Sequence, residues 1–232
     1  MVMCAAMLER EGPGPQKVWI VGAGGHGKVI ADLVRACGHA PIGAVDLRPE
    51  AVGRLAEPLG TYIRMTQADF LAHVEHNGSL PEDGEAVIIA VGDNRARLAV
   101  HRALGGVARP ALIHPQAVVS PSAAIGAGTV VFAGAVVHAA AVVGEAVIVN
   151  TRAVVEHDCR VGDAVHLSPG AILCGGVTVE DGAWVGAGST IIPGVRVGAR
   201  AMVGAGAVIL VDVPAGATVV GNPGRIIRRT SP

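Results

Sequence analysis

Aromatic residues are almost missing from this chain: two Phe, two Trp and one Tyr among 232 residues. Their scarcity removes the stacking platforms on which single-stranded nucleic acids lie, and it leaves Val, Ile, Leu and Ala to build any core. An excess of either charge is missing too. Eighteen basic and nineteen acidic residues leave a net charge of −1, which offers no hold to a nucleic acid or a membrane surface. The few cysteines, Cys4, Cys37, Cys159 and Cys174, form no C-x-x-C pair and no zinc-ligand spacing, so a reducing, cytoplasmic setting is expected. No stretch long enough to span a bilayer is free of glycine and charge, and no membrane span is expected. Residues 1–16 start on a short apolar run, lack a basic beginning and soon meet Glu9, Arg10 and Glu11. They read as a flexible N-terminal tail rather than a signal peptide.

What the chain does have is apolar residues, 51% against 16% charged, which excludes a disordered polymer. Its 33 glycines carry no three-residue period, which excludes collagen. The C-terminal half instead repeats every six residues. From Ile113 through Val119, Ile125 and Val131 to Ile209, seventeen successive positions are aliphatic. Four residues after each stands a small or β-branched residue, from Ala117 to Val213. Such a period fits neither a helix nor one uninterrupted strand, so each hexad is a short strand plus a bend. Three hexads close a triangular coil, and coils stacked about 4.8 Å apart pair their backbones in parallel. A sandwich of short strands would need irregular turn spacing and polar alternation instead.

Residues 17–109 have another character. Val18–Val21 reads as a strand, Gly22-Ala23-Gly24-Gly25-His26-Gly27 as a glycine loop, and Lys28–Val34 as the start of a helix. A second strand, Ile42 to Val45, ends at Asp46; a third, Ala86 to Val91, leads through Gly92-Asp93-Asn94 into a helix ending near Leu104. This β-α-β-α-β-α order predicts a small parallel, Rossmann-like α/β sheet. Backbone N–H groups at such a helix start receive phosphate where glycines leave room, and Asp46 stands near the spacing of a ribose-binding acid. The same glycines also serve a plain strand-to-helix turn.

The hexads resemble those of the hexapeptide-repeat acyltransferases, whose prism is a left-handed parallel β-helix. The G-x-G-G-H-G loop on a small α/β domain is similar to that of bacterial sialic acid O-acetyltransferases and nucleotide-activated amino-sugar N-acetyltransferases. Val91-Gly92-Asp93-Asn94, Ile113-His114-Pro115, Asn150-Thr151, Glu156-His157-Asp158 and His166-Leu167-Ser168-Pro169 extend the resemblance over nearly the whole chain after Lys17. Gly221-Asn222-Pro223-Gly224-Arg225 is similar to a CoA-holding segment in which Ala is the commoner fourth residue. The resemblance implies an acetyl-CoA-dependent N-acetyltransferase acting on a nucleotide-linked amino sugar in glycan biosynthesis. It also implies a homotrimer with active sites between subunits, and no metal. Residues 17–109 would bind the nucleotide sugar, 110–213 form the left-handed β-helix, and 214–232 the CoA-binding segment and tail. Sugar O-acetylation, a non-catalytic sugar-nucleotide sensor and a zinc β-helix hydratase are the rivals; His138, His157 and His166 are not spaced as that hydratase's ligands.

Acyl transfer from a thioester needs a base for the incoming amine and donors for the oxyanion. Glu156-His157-Asp158 brackets an imidazole with carboxylates on an apolar prism, and the resemblance makes His157 the general base and Asp158 its orienter. One coil on, Gly175 should lie over His157 with its N–H toward the thioester carbonyl, while His166, half a coil away, should face outward on the opposite side. By resemblance His166 supports the acetyl group. Gly22, Gly24, Gly25, His26, Asp46, Asn94 and Asn150 bind substrate, and Gly175, Ala187, Ala205, Gly221, Pro223 and Arg225 bind CoA. His26 reads equally as a solvated helix-start residue. The acidic pair expected after the second strand in UDP-sugar relatives is here Asp46 followed by Leu47 and Arg48, which leaves the nucleobase open. Trp184 stacks over His166 in the coil count, lining either a CoA groove or a subunit contact. Arg225, Arg228 and Arg229 meet CoA phosphates or form a solvated basic end.

Overall fold

The computed structural model describes residues 16–56, 59–81 and 86–229. The tail expected at residues 1–16 lies, Gln16 aside, outside them. The N-terminal sheet forms where short apolar runs stop at glycine or polar turns. It comprises β1 (Lys17–Val21), β2 (Ala40–Asp46), β3 (Leu55–Ala56), β4 (Thr61–Thr66) and β5 (Ala86–Ile89), in the order β3-β4-β2-β1-β5. All neighbours pair in parallel except β3 with β4. Helices α1 (Gly25–Ala36), α2 (Gln67–Asn77) and α3 (Asn94–Ala103) complete the domain. The alternation of β1 divides its core. Val18 and Ile20 face α1, whose Ile30, Ala31, Leu33 and Val34 recur at helical spacing; Trp19 and Val21 face Phe70 and Val74 of α2 and Val100 and Leu104 beyond it. Two strands exceed the expected three, because Thr61–Thr66 alternates buried and exposed residues and pairs beside β2. The strand expected through Val91 ends at Ile89.

Beyond α3 the hexads become seventeen two-residue strands, β6 (Leu112–Ile113) to β22 (Val208–Ile209), shared in turn among three parallel faces. Face I starts with β6, face II with β7 (Val118–Val119) and face III with β8 (Ala124–Ile125). Partners sit eighteen residues apart, as Val136 with Val154 and Val154 with Ile172. The second residue of each strand points to the axis, so that Val149, Val155, Leu167, Leu173, Val185 and Val197 are wholly buried. The small series fills the corners, with Ala135, Ala153, Ala171 and Ala183 also at zero exposure. Many corners need a left-handed residue, which glycine supplies without a Cβ clash. At the corner between faces III and I that position is Gly128, Ala146, Ala164, Gly182 and Arg200 in successive coils.

The two regions share one apolar seam: Leu112, Val130, Phe132 and Ile148 on the outer side of face I join the core under α1. Up to Arg229 the C-terminal segment continues the prism. Strand β23 (Ala217–Val220) extends face I in parallel, and β24 (Arg225–Arg229) returns antiparallel to it, so Gly221–Gly224 is the turn of a hairpin. Among the described residues no helix is long and apolar enough to cross a membrane.

Candidate active site

His157 stands at the corner between faces II and III, just past β13 (Val154–Val155). Its Nδ1 is 2.8 Å from Asp158 Oδ2. A carboxylate at that distance fixes the proton on Nδ1 and leaves the Nε2 lone pair free. Asp158 holds the left-handed corner position, φ 61°, where the next two coils have Gly176 and Gly194. That backbone turns its carboxylate beside the ring. Gly175 lies over the imidazole as the coil count predicts: a Cβ there would come within 2.6 Å of His157 Nε2. Among the described residues its N–H donates to no backbone carbonyl, while the next amide, Gly176, bonds His157 O at 2.9 Å. An imidazole, a carboxylate and an amide that bonds no backbone carbonyl among the described residues therefore meet at one solvent-facing corner. On the same corner His138 Nε2 is 3.8 Å from Glu156 Oε1.

His166 opens β15 (His166–Leu167) on face I, so the two rings belong to different faces, as the half-coil spacing requires. It points away from the axis as expected but is not solvated. The N-terminal domain and Trp184 cover it, leaving the residue 8% exposed, with the Trp184 ring centroid 4.6 Å away. Trp184 Nε1 donates to Ser168 Oγ at 2.8 Å. Asn150 Nδ2 lies 3.2 Å from His166 Nε2 and Asn150 Oδ1 accepts from the Thr151 amide, so Nε2 accepts and Nδ1 carries the proton. That buried Nδ1 has no hydrogen-bond partner among the described residues. Burial first, then the charge of Arg97 and the His26 ring, push the His166 imidazole down to about 4.

His26 enters this crevice from the start of α1, edge-on to Phe132 at 5.8 Å between centroids, and its Nε2 is buried without a partner. Burial, then Arg97, hold it at about 4. The glycine loop serves both readings. Gly22 (φ 115°) and Gly27 shape the turn, since a Cβ would lie 2.6 Å from Ala90 O or 2.3 Å from Gly22 O. At Gly24 and Gly25 a Cβ would meet nothing within 4 Å, so those two leave the helix start open.

Several expected residues sit otherwise. Asp46 is buried at the end of β2 with both carboxylate oxygens bonded by Arg48: Oδ1 from the backbone N and Nε at 2.9 Å, Oδ2 from Nη2 at 3.1 Å. These bonds hold its carboxyl below the usual range and take up three of its acceptor positions, leaving at most one on Oδ2 for a ribose hydroxyl. Asn94 is buried against the prism, its Nδ2 donating to Gly182 O and Ala183 O and its Oδ1 accepting from Arg97, so its amide faces the domain seam. Ala187 and Ala205 are exposed at the corner between faces I and II, across face II from Gly175. Gly221, Pro223 and Arg225 are exposed in the hairpin turn and at its exit. Arg97, not singled out by sequence, is the buried cation common to His26 and His166. Among the described residues no three His, Cys, Asp or Glu side chains cluster as a metal site.

Residues 17–104 match the PglD N-terminal domain model, residues 152–191 the hexapeptide repeat of succinyl-transferase, and 176–210 the bacterial transferase hexapeptide of six repeats. PerB from Caulobacter crescentus, solved with CoA and GDP-perosamine, is 38% identical with TM-score 0.82, over 91% of this chain and 97% of that one. The chain belongs to the bacterial sugar acetyltransferases of the left-handed β-helix superfamily. The acetyltransferase domain of PglB from Neisseria gonorrhoeae is 40% identical, TM-score 0.80, over 91% of this chain and all of that domain. WeeI from Acinetobacter baumannii is 29% identical, TM-score 0.77, over 91% and 99%. The search of curated proteins found no match. The prism of this sugar acetyltransferase is thus the left-handed parallel β-helix expected, and the protein is an acyltransferase.

Proposed function

We propose that the protein transfers an acetyl group from acetyl-CoA to the amino group of a nucleotide-linked amino sugar, with His157 as general base. The observation that carries this reading is the His157–Asp158 pair at 2.8 Å with the Gly175 backbone against Nε2. Nε2 takes a proton from the amine as it attacks the thioester carbonyl. The Gly175 N–H donates to the developing oxyanion, the C–S bond breaks, and the imidazolium returns its proton to the CoA thiolate. Carboxylate contact with Nδ1 strengthens Nε2 as an acceptor while the ring is neutral and stabilises it once charged. The open glycines Gly24 and Gly25 and the crevice of His26, His166 and Asn150 are the acceptor side, consistent with the PerB complex holding CoA and GDP-perosamine. A cytoplasmic location fits substrates of this kind.

A trimer completes the site. Face II presents an outward ladder of Val118, Val136, Val154, Ile172, Thr190 and Val208, with Val118 64% and Ile172 37% exposed, where face III has Arg160 and Arg196 in the same role. Closure of three copies around face II would cover that apolar ladder. The two corners flanking face II would then meet between neighbours, bringing His157 and Gly175 of one copy to the Asn150, Ala187 and Ala205 edge of the next. A CoA in that groove would touch both.

The test is thiol release from acetyl-CoA with a panel of UDP-, GDP- and dTDP-linked amino sugars, their hydroxyl counterparts included. One amino sugar should turn over with trimeric protein, and His157→Ala should lower kcat by roughly 10²–10⁴ with the fold intact. Full turnover by His157→Ala, or acetylation only of the hydroxyl counterpart, rejects the reading.

A further inference from the structure

Arg97 is 1% exposed and ranks among the largest fully buried side chains. Every N–H of its guanidinium is engaged, and no carboxylate bonds it. Nε donates to Ala146 O at 2.7 Å, Nη1 to Val91 O and Gly92 O at 3.1 and 3.0 Å. Nη2 donates to Asn94 Oδ1 and Ala164 O at 2.8 and 2.9 Å, with Val165 O at 3.4 Å. The acid that influences it is Asp93, exposed at the start of α3, where its side chain caps the helix. Burial pushes the guanidinium down only to about 10, so it remains a cation at neutral pH. A buried cation solvated by neutral acceptors costs desolvation that an apolar side chain of similar length would avoid. Stability alone therefore gives no reason for it.

Its neighbours show what it joins. Along α3, Asn94, Arg97 and His101 fall at helical spacing on one stripe, and together they span three successive levels of the corner between faces III and I, Arg97 bridging the lower two. Asn94 bonds Gly182 O, Arg97 bonds Ala146 O and Ala164 O, and His101 Nε2 lies 2.7 Å from Glu145 Oε2. One helical turn rises about 5.4 Å and one coil about 4.8 Å, so the helix reads successive rungs. Within the N-terminal domain Arg97 grips the end of the loop after β5, next to Ala90, against which Gly22 of the glycine loop packs.

We propose that Arg97 is a positioning residue for nucleotide-sugar binding: its fork locks the glycine-loop side of the N-terminal domain to two neighbouring coils of the prism and so fixes His26 opposite His166. The inference rests on the reading of this crevice as the acceptor site. The groups facing the two rings are His26 and Phe132, Arg97 from α3, and Asn150, Trp184 and His166 from the prism, with the His101–Glu145 pair one level away. No carboxylate among them offsets Arg97. Burial and its charge together keep both imidazoles neutral, so the crevice carries one fixed positive charge, which favours a phosphate at its mouth.

Arg97→Met and Arg97→Lys test this, with Asn94→Ala as a cut in the same seam that leaves the charge. Histidine titration by NMR on protein without substrate should show His26 and His166 titrating about one pH unit higher in Arg97→Met, but unmoved in Asn94→Ala and Arg97→Lys. With acceptor, Arg97→Met should raise its KM roughly tenfold or more and leave the acetyl-CoA KM within about twofold, and Arg97→Lys should recover part of the loss. If Arg97→Met does not fold, Arg97→Lys decides: an acceptor KM equal to wild type overturns the proposal. Unmoved titrations in folded Arg97→Met, or equal loss in both KM values and kcat, also overturn it. The titration needs no acceptor, so it stands or falls separately from the identity of the substrate.

Discussion

The molecule holds its two principal imidazole sites in opposite ways. His157 is 63% exposed at a corner, touches a carboxylate and has a glycine clearing its free nitrogen. His166 is buried, faces an amide and a tryptophan, and shares its crevice with a second histidine and a buried arginine. The second setting opposes protonation, burial first and then Arg97 holding the His166 ring at about 4. The proposed function assigns proton transfer to the corner and recognition to the crevice, and this contrast is what makes that assignment testable. The rungs that carry both are wholly buried along the axis, so neither ring can relax toward the other's environment.

The contrast breaks most directly at Gly175. Alanine there puts a Cβ 2.6 Å from Nε2, which must push the ring off the corner and away from its line to the thioester. Gly175 lies outside the left-handed region, so the backbone itself accepts alanine. Gly175→Ala should lose about 10²-fold in kcat/KM, in the range of a lost oxyanion donor, while its melting temperature stays near wild type. Activity within about threefold of wild type would show that the corner has slack and that Gly175 is only a turn residue.

Acid separates the two sites next. His26 and His166 sit at about 4 in the folded protein against about 6.5 in the unfolded chain. Between those values the unfolded chain binds more protons, so stability rises with pH across the window. The contribution is complete above about 6.5 and is lost as pH falls toward 4. Relative to wild type, His166→Gln, which can still accept from Asn150, should be less sensitive to acid by about 2 kcal/mol between pH 7 and 4.5, measured by urea unfolding. A parallel pair of stability curves would mean His166 is wet in solution. Asp46, held below the usual carboxylate range by Arg48, loses its contribution only at still lower pH, near and below an ordinary carboxylate value.

Legibility in the sequence follows the same divide. The prism could be read residue by residue, because a hexad carries its own frame: every aliphatic position from Ile113 to Ile209 is the second residue of a strand. His157, Asp158 and Gly175 came with that frame, since they are related by local turn and coil spacing. The crevice did not. His166 looked solvated because its strand position points outward, and nothing nearby in sequence announces that Phe132, Trp184 and the glycine loop close over it. Arg97 was not singled out; the signal that could have found it is the polar stripe Asn94, Arg97 and His101 on a helix whose apolar stripe runs through Val100 and Leu104. Strand β4 was hidden by alternation too short to stand out, T-Y-I-R-M-T, though its threonines and isoleucine favour a strand.

The smallest expected effect sharpens the contrast most, because it sets stability against activity in one residue. Asp158 occupies a left-handed corner position, where successive coils below it use Gly176 and Gly194. A non-glycine residue there costs about 1 kcal/mol, somewhat less for an aspartate. The side chain is 68% exposed and, among the described residues, its one hydrogen-bond partner is the His157 ring, so folding gains little from it. Asp158→Gly should therefore raise stability by about 0.5 kcal/mol, a shift of a degree or two in melting temperature, while kcat falls roughly tenfold or more as His157 loses its orienter. Such opposed changes are the mark of a residue kept for chemistry at the expense of the fold. A variant that is less stable than wild type, or equally active, would make Asp158 a structural corner residue and leave His157 to act without help.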